Sequence, residues 1–367
     1  MSAMIARCLI SLLIVMATSA LAFADTHKRR IFVVSSYHKE YLWSISTQEG
    51  LAAAMLQYGY LDDKAQAQWL AQNDHVESGR AIIKKVWMDT KRRNRAEDIA
   101  RATARITREI ADFRPDLVLL GDDNAANFIG NQLLDTETPV VFWGINGLPM
   151  KYGLVESMDT PGHNVTGVWQ SGYFKESLVL LKRLVPSAKT FAILACNSES
   201  TRPFVKRLQL LAQQGELPLK LVDTVLTNSF ETFKSRTLEL SQRVDAFFVL
   251  NHDTLVDEFD KHVDMMVVGR WYLENIRLPE ASHEDQFVRE GMLLTANDSG
   301  YNQSFAAFEM AYDILEQGLS PGRMRTRTPE RGPYLVNKQR AAALGITIDD
   351  KMYLIDEVIN ESLALPH

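Results

Sequence analysis

Cysteine is scarce in this chain, which has two among 367 residues, Cys8 and Cys196. Cys8 lies in an N-terminal segment that has the features of a cleaved export signal. The mature chain is therefore expected to keep Cys196 alone, which excludes an intramolecular disulfide and a zinc site built from cysteines.

Motifs typical of enzymes are also missing. The sequence contains no Gly-x-Ser-x-Gly elbow, no phosphate-binding loop and no His-Glu-x-x-His helix, and its eight histidines are scattered. Ser35 or Ser36 with His38 would be a nucleophile and base, but adjacent side chains at a strand end point apart. We expect a protein that is not an enzyme and uses neither a metal nor a cofactor; an exported hydrolase is the alternative.

The chain also lacks an excess of positive charge. Its net charge is −6 and its pI is near 5.8, which argues against a nucleic-acid partner. A local basic cluster is followed by acidic residues and is interpreted as a solvated helix end or loop. This cluster comprises Lys84, Lys85, Lys91, Arg92, Arg93 and Arg95.

The N-terminus is the clearest targeting segment. Arg7 is followed by an apolar run over residues 9–21 and by Ala22-Phe23-Ala24, a small-x-small cleavage site. A retained anchor is the alternative, but the run is shorter than the roughly 20 residues that cross a bilayer. We predict a signal peptide over residues 1–24 and a periplasmic mature chain that does not span a membrane.

The stretch from Pro115 to Asn146 indicates the fold. A buried strand at Leu117–Leu120 is followed by three polar residues, a helix and a second strand at Val140–Trp143. A strand-helix-strand unit requires a parallel sheet, and ligands bind at the carboxyl ends of such strands. Residues 121–124 and 143–146 are thus predicted to share a binding edge, although Asp122 or Asp123 could instead cap the following helix.

The same alternation of strand, polar turn and helix occurs twice, which predicts two α/β lobes. Breakers between residues 147 and 162 mark a crossing between them, and the last third of the chain returns across the junction. The predicted lobes are 25–160 plus about 297–320, and 161–296 plus about 321–367. Ala65–Ala71 is predicted as an edge strand, and spacings of three and four predict a helix over Ala96–Phe113.

Several motifs resemble a known family. PVVF at residues 139–142, PGHNVTGV at 161–168, VDAFFVLNHDT at 244–254 and EGMLLTANDSGYN at 290–302 resemble the substrate-binding proteins of bacterial ABC transporters, in the tryptophan and tyrosine binding group. Asp122-Asp123-Asn124 and the segment 35–44 are closer to the extracytoplasmic sensor modules of the same superfamily.

The resemblance implies a type I periplasmic-binding-protein fold. In that fold two doubly wound, Rossmann-like α/β lobes with parallel sheets close over a small molecule by a hinge. The hinge candidates are Pro161–Gly167 and Leu278–Pro279.

Candidate ligand contacts follow from the strand ends. Groups at Ser35 and Ser36 could hold a ligand carboxylate, and a carboxylate of Asp122 or Asp123 could hold an ammonium. Aromatic residues at strand ends could cover the apolar part of the ligand, although packing between the lobes is the alternative. The predicted binding residues are Ser35, Ser36, Tyr37, Trp43, Asp122, Asp123, Asn124, Trp143, Asn146, Trp169, Gln170, Asn197, Asn251, Asp253, Asp298 and Tyr301.

The resemblance implies two possible functions. The first is a solute-binding protein that delivers an amino-acid-like or aromatic ligand to a membrane ABC permease. The second is a ligand sensor whose partner is a membrane histidine kinase or cyclase.

Overall fold

The computed structural model describes residues 28–365, so the predicted signal peptide lies outside the described residues. Within this range the chain forms two α/β lobes, and each is built on one sheet whose strands are mostly parallel. The predicted fold class is confirmed.

The sheet of the first lobe has six strands in the order β2-β3-β1-β4-β5-β6. All neighbours are parallel except β2, which pairs antiparallel with β3 at the edge. The strands are β1 (Arg29–Ser35), β2 (His75–Glu77), β3 (Ala81–Trp87), β4 (Leu117–Gly121), β5 (Val140–Ile145) and β6 (Val165–Trp169).

The sheet of the second lobe has seven strands in the order β13-β12-β11-β10-β9-β7-β8. Here β12 pairs antiparallel with β11, and the other pairs are parallel. The strands are β7 (Thr190–Ala195), β8 (Lys220–Leu226), β9 (Ala246–Val249), β10 (Glu280–Ser282), β11 (Leu294–Ala296), β12 (Tyr334–Asn337) and β13 (Glu357–Ile359).

Helices cover both faces of each sheet. They are α1 (Leu42–Gln57), α2 (Lys64–Gln72), α3 (Ala96–Phe113), α4 (122–133, π-helical over Ala125–Gly130), α5 (Phe174–Leu184), α6 (Arg202–Gln213), α7 (Phe230–Leu240), α8 (Met265–Asn275), α9 (Asp285–Glu290), α10 (Gly300–Gln317) and α11 (Lys338–Ala343). Short 3₁₀ turns occur at Pro149–Tyr152, Pro321–Arg323 and Asp349–Leu354.

The apolar runs of the central strands explain the layering. Along β1, Ile31 and Val33 belong to one buried cluster, whereas Phe32 and Val34 belong to the cluster on the opposite face. Successive side chains of a strand point to opposite faces, so a continuous apolar run requires helices on both sides. Helices α1 and α10 pack closely on one face, where a Cβ on Gly50 would lie 2.2 Å from the Tyr301 carbonyl oxygen.

The lobes are joined by three segments between elements, at residues 170–173, 297–299 and 324–333. The sequence placed the first crossing at about 161, but β6 is still a strand of the first sheet and Trp169 N donates to Arg327 O. The chain therefore leaves the first lobe after Trp169. The hinge candidates Pro161–Gly167 and Leu278–Pro279 were wrong, because the first runs into β6 of the first sheet and the second leads into β10 of the second sheet.

Two local predictions were also wrong. Ala65–Ala71 belongs to helix α2, whose N-cap Asp63 accepts a hydrogen bond from Gln66 N. The basic cluster is not a solvated helix end or loop throughout, because Lys84 and Lys85 lie in β3 and Lys85 is buried, with its ammonium donating to Leu70 O. Burial of the Lys85 ammonium lowers its pKa to about 8.

The lobes contact each other in a closed arrangement. Tyr37, Tyr41 and Trp43 from the first lobe belong to the same buried cluster as Leu194 and Val249 of the second lobe. The carboxyl ends of the two sets of strands therefore face each other across a narrow cleft.

Candidate ligand-binding cleft

Asp122 stands directly after β4 at the cleft and is 2% exposed. Its φ of 69° lies in the left-handed region, which Asp tolerates better than most residues. Trp43 Nε1 donates to its Oδ1 at 2.6 Å, and no hydrogen-bond donor to Oδ2 occurs among residues 28–365. Burial raises the pKa of Asp122 well above its usual range, the Trp43 hydrogen bond lowers it in part, and Asp123 raises it further. Asp122 thus offers one carboxylate oxygen to a ligand.

Asp123 has a different role from its neighbour. Its Oδ1 accepts hydrogen bonds from Asn146 N at 3.1 Å, Gly147 N at 3.1 Å and Tyr152 Oη at 2.8 Å. Burial raises its pKa to about 6 despite these donors. Asp123 therefore holds the loop after β5 in place within the first lobe, and its Oδ1 is not free to bind a ligand ammonium.

A buried ion pair crosses the cleft. Lys91 Nζ of the first lobe lies 2.9 Å from Asp253 Oδ2 of the second, and Tyr41 Oη donates to the same carboxylate. Burial opposes the charge on both groups, but the partner outweighs it, so the pKa of Lys91 is raised and that of Asp253 is lowered. The ammonium also lies 4.2 Å from the centroid of the Tyr37 ring. Lys91 is therefore not the solvated residue that the sequence indicated.

Amide side chains at the cleft leave their oxygens unpaired. Within the described part of the chain, the buried atoms Asn124 Oδ1, Asn146 Oδ1, Asn251 Oδ1 and Gln286 Oε1 have no hydrogen-bond partner. A buried polar atom without a partner is costly, and such atoms in a native structure call for an explanation. Here they give the cleft a lining of hydrogen-bond acceptors.

Glu284 connects these groups at the end of β10. Its Oε1 accepts from Gln170 Nε2 at 3.3 Å, and its Oε2 accepts from Gln286 Nε2. Gln286 Nε2 also lies 3.2 Å from Tyr41 Oη, which joins Glu284 to the Asp253 group. Asp122 is close enough for the charges of Lys91 and Glu284 to act on its pKa, so the two lobes contribute to one polar cluster.

The predicted carboxylate site at Ser35 and Ser36 is largely occupied by protein groups. Ser36 N and Ser36 Oγ both donate to Gly121 O, at 3.0 and 2.7 Å, and Oγ accepts from Ala125 N. Ser35 Oγ accepts from Gln48 Nε2 at 3.3 Å. These serines join β1 to β4 and α4, and the Ser36 hydroxyl and amide are not free to hold a carboxylate.

The aromatic residues predicted to contact the ligand lie in different parts of the structure. Trp43 is buried against Gly144 and Gly300 and positions Asp122. Trp143 is fully buried in the core of the first lobe, because it packs over Gly121. Tyr301 is 38% exposed on α10 and stacks on Phe305. Of the aromatic residues predicted for the site, Tyr37 lies beside the Lys91 ammonium at the cleft.

Trp169 and Gln170 lie where the first crossing begins. The Arg207 guanidinium is 5.1 Å from the Trp169 ring centroid and donates to Gln170 O and Ser171 O at 2.9 Å and to Asn146 O at 3.2 Å. Arg207 therefore ties α6 of the second lobe to the crossing and to the loop after β5. Asn146 adds a direct bond between the lobes, because its Nδ2 donates to Ser200 O at 2.8 Å.

Asp298 lies in the second crossing. Its carboxylate accepts from Gly172 N at 2.7 Å and from Gln303 Nε2 at 2.9 Å, and burial raises its pKa to about 6. Asp298 thus joins two crossings to each other, and each of its carboxylate oxygens accepts a hydrogen bond from the protein.

Two cavities flank the Lys91–Asp253 pair. One of about 230 Å³ is lined by Tyr37, Asn124 and the exposed Asn197, among others. The other, of about 170 Å³, lies between Tyr41 and Met266. Both are lined by residues of the two lobes, and Lys91 borders each of them.

Sequence reasoning missed Lys91, Tyr41, Glu284 and Gln286 as cleft residues. Tyr41 carried a signal, because it belongs to the polar and aromatic segment after β1, and Glu284 and Gln286 follow β10, a strand that the sequence pattern did not indicate. Among residues 28–365, no cluster of three or more His, Cys, Asp or Glu is arranged to hold a metal ion. None of the helices in this range has both the length and the apolar composition needed to cross a bilayer.

Comparison with known proteins assigns this architecture to a family. Residues 74–357 match the model of the ABC transporter substrate binding protein family. A tyrosine-binding protein of Clostridioides difficile is 24% identical over 243 residues, and the match spans 66% of each chain, slightly less than two thirds.

Solved structures share the fold. One is an ABC domain from Streptococcus pneumonia in complex with L-Trp, with a TM-score of 0.69 and 20% identity, covering 91% of this chain and all of that one. Another is a substrate binding protein with adhesive properties from Clostridium difficile in a ligand-free, open structure. It has a TM-score of 0.64 and 21% identity, with the same coverage.

Proposed function

Since this chain belongs to the family of ABC transporter substrate-binding proteins, we propose that it is an exported protein that captures a small amino-acid-like or aromatic compound bearing an ammonium group. The ligand lies in the cleft between the lobes, and the protein delivers it to a membrane ABC permease. The protein is a binding protein and not an enzyme, like its relatives.

The observation that carries the ligand proposal is the buried Asp122 carboxylate. One of its oxygens is held by Trp43 and the other is free, next to a cleft lined with amide oxygens. A sheltered hydrogen bond from an ammonium to a carboxylate contributes roughly 1.5 to 3 kcal/mol. A ligand ammonium would therefore satisfy Asp122 and stabilise closure.

The test is a thermal-shift screen of the mature chain against amino acids, aromatic amines, nucleobases and organic acids. A ligand that binds the folded state at 100 times its dissociation constant adds about 2.7 kcal/mol to the free energy of unfolding. We expect ammonium compounds to raise the melting temperature. If only compounds without an ammonium group do so, the ligand proposal is wrong.

Delivery to a permease is tested separately from binding. A permease and an ATPase encoded beside this gene, together with ligand uptake that depends on this protein, would support transport. A neighbouring membrane kinase or cyclase whose activity changes with the liganded protein would instead support the sensor alternative. N-terminal sequencing of the secreted protein, expected to begin at Asp25, tests export.

A further inference from the structure

We propose that the cleft selects a primary organic amine that carries no carboxylate, in preference to the corresponding amino acid. This inference rests on the proposed function and narrows the ligand class of the same cleft. It follows from the way the buried side chains use their donors and acceptors.

The orientation of four amide groups is fixed by their partners. Asn146 Nδ2 donates to a backbone carbonyl, and the side chains of Asn251 and Gln286 donate to the carboxylates of Asp253 and Glu284. Each of these partners is an acceptor, so the amide oxygen must point the other way.

Asn124 is fixed by a short relay. Its Nδ2 donates to Thr90 Oγ1 at 2.8 Å. The Thr90 hydroxyl has one proton, which it donates to Ser36 O at 2.8 Å. Thr90 can therefore only accept from Asn124, which leaves Asn124 Oδ1 unpaired. Asn124, Asn146, Asn251 and Gln286 thus leave four buried amide oxygens without a donor, and an ammonium is a donor of the kind that they lack.

The charge of the central cluster also favours a cationic amine over an amino acid. Three buried carboxyl groups, Asp122, Asp253 and Glu284, lie around one buried ammonium, Lys91, and the His283 imidazole lies 3.1 Å from Glu284 Oε1. A cationic ligand reduces this imbalance, whereas a zwitterion leaves it unchanged.

The lysine and arginine side chains near the cleft and the Ser36 donors already have protein partners, so they are not free for an amino-acid carboxylate. Lys91 is paired with Asp253, and taking it away would leave the buried Asp253 carboxylate to the neutral donors Tyr41 and Asn251. Ser36 N and its hydroxyl both donate to Gly121 O. Arg207 donates to three backbone carbonyls, and Arg202 at the rim donates to Glu199 and Asn197.

The test uses pairs of compounds that differ by one carboxylate. Tyramine is compared with tyrosine and tryptamine with tryptophan, by thermal shift and by titration calorimetry on the mature chain. We expect at least one amine to bind at least tenfold more tightly than its amino acid. Asp122→Asn should weaken this binding at least tenfold.

A second variant tests the reason for the selectivity. Asp253→Asn removes the partner that holds Lys91, so the ammonium becomes available to a ligand carboxylate, and the amine preference should shrink or reverse. Asp260→Asn is the matched control, since Asp260 also pairs across the cleft, with Arg95, but is 70% exposed. It should keep the wild-type preference.

The outcomes separate this inference from the proposed function. If tyrosine or tryptophan binds as tightly as its amine and depends on Asp122, the amine preference is wrong and the proposed function stands. If the only compounds that bind are sugars or carboxylic acids without an amine, both are wrong. If an amine binds selectively but Asp253→Asn leaves the preference unchanged, the role assigned to the Lys91–Asp253 pair is overturned.

Discussion

Lys91 Nζ lies 2.9 Å from Asp253 Oδ2, and each of these side chains is 3% exposed. The pair joins the segment after β3 in the first lobe to the segment after β9 in the second. Separating the partners in a buried site would leave one charge uncompensated, which is strongly unfavourable. The pair therefore favours the closed arrangement.

Replacing Lys91 by Met should open the ligand-free protein. The change removes the charge and keeps much of the side-chain volume, so Asp253 loses its counter-ion in the closed form. Breaking one partner of a buried pair costs on the order of 3 to 5 kcal/mol. The radius of gyration from solution scattering should increase relative to wild type.

The control for this variant is Arg95→Met. Arg95 pairs with Asp260 across the cleft at 2.6 Å, but the two side chains are 68% and 70% exposed. Exposed pairs contribute little, so the scattering curve should stay unchanged. Equal curves for Lys91→Met and wild type would refute the role of the buried pair in closure.

Asp122→Asn should weaken ligand binding, whereas Asp123→Ala should lower the stability of the free protein. Asn tolerates the left-handed backbone at position 122, so that variant keeps its shape and loses its charge. Losing one side of a buried charge pair costs on the order of 2 to 5 kcal/mol, and about 1.4 kcal/mol is tenfold in affinity. Calorimetry should show binding weakened at least tenfold, with the melting temperature of the free protein nearly unchanged.

The companion variant at position 123 serves as the matched control. Asp123 accepts hydrogen bonds from two backbone amides and from Tyr152, so Asp123→Ala, which removes the acceptor, should destabilise the free protein by about 1 to 3 kcal/mol. Affinity should change little at temperatures where the variant is folded. If both variants bind like wild type, neither carboxylate contacts the ligand.

Much of the fold could be predicted from the chain. The bounds of α3 agree with the predicted ones, and β4 begins at Leu117 as predicted, because an amphipathic spacing ended by Pro115 and a short apolar run are local properties. Helix α2 was missed because the alternation in AQAQWLA resembles a strand. Strand β3 was missed because Lys84 and Lys85 look solvated, and burial of Lys85 depends on the distant carbonyl of Leu70.

The site was less predictable than the fold. Polar residues after parallel strands led to Asp122, Asp253 and Asn251, because the strand ends must share one edge. The sequence could not separate the ligand-facing Asp122 from the loop-bracing Asp123, since the difference depends on which backbone amides the loop after β5 brings near. Lys91 was missed because its partner belongs to the other lobe.

The affinity for an amine should rise with pH. Burial raises the pKa of Asp122 well above its usual range in the free protein, whereas a ligand ammonium favours the ionised carboxylate. Binding must then release a proton below the raised pKa, and the dissociation constant should fall as pH increases through that range. Calorimetry in buffers of different ionisation enthalpy measures the release, and Asp122→Asn should lose it. An affinity that falls with rising pH would contradict this assignment.

Asp298 should make the stability of the free protein depend on pH. Burial raises its pKa from 3.8 to about 6, so the folded state binds a proton more tightly than the unfolded state. The associated stability is fully present below pH 3.8 and is lost as pH rises through about 6. A shift of this size corresponds to about 3 kcal/mol.

The measurement compares wild type with Asp298→Asn, because other carboxyl groups titrate in both proteins and cancel in the difference. The free energy of unfolding, from urea denaturation, should fall for wild type relative to the variant across this pH range. The variant cannot titrate at this position, yet Asn can still accept from Gly172 N, so the two crossings stay joined. A difference that is flat with pH would show that folding leaves the pKa of Asp298 unshifted, and one that increasingly favours wild type at high pH would show that folding lowers it.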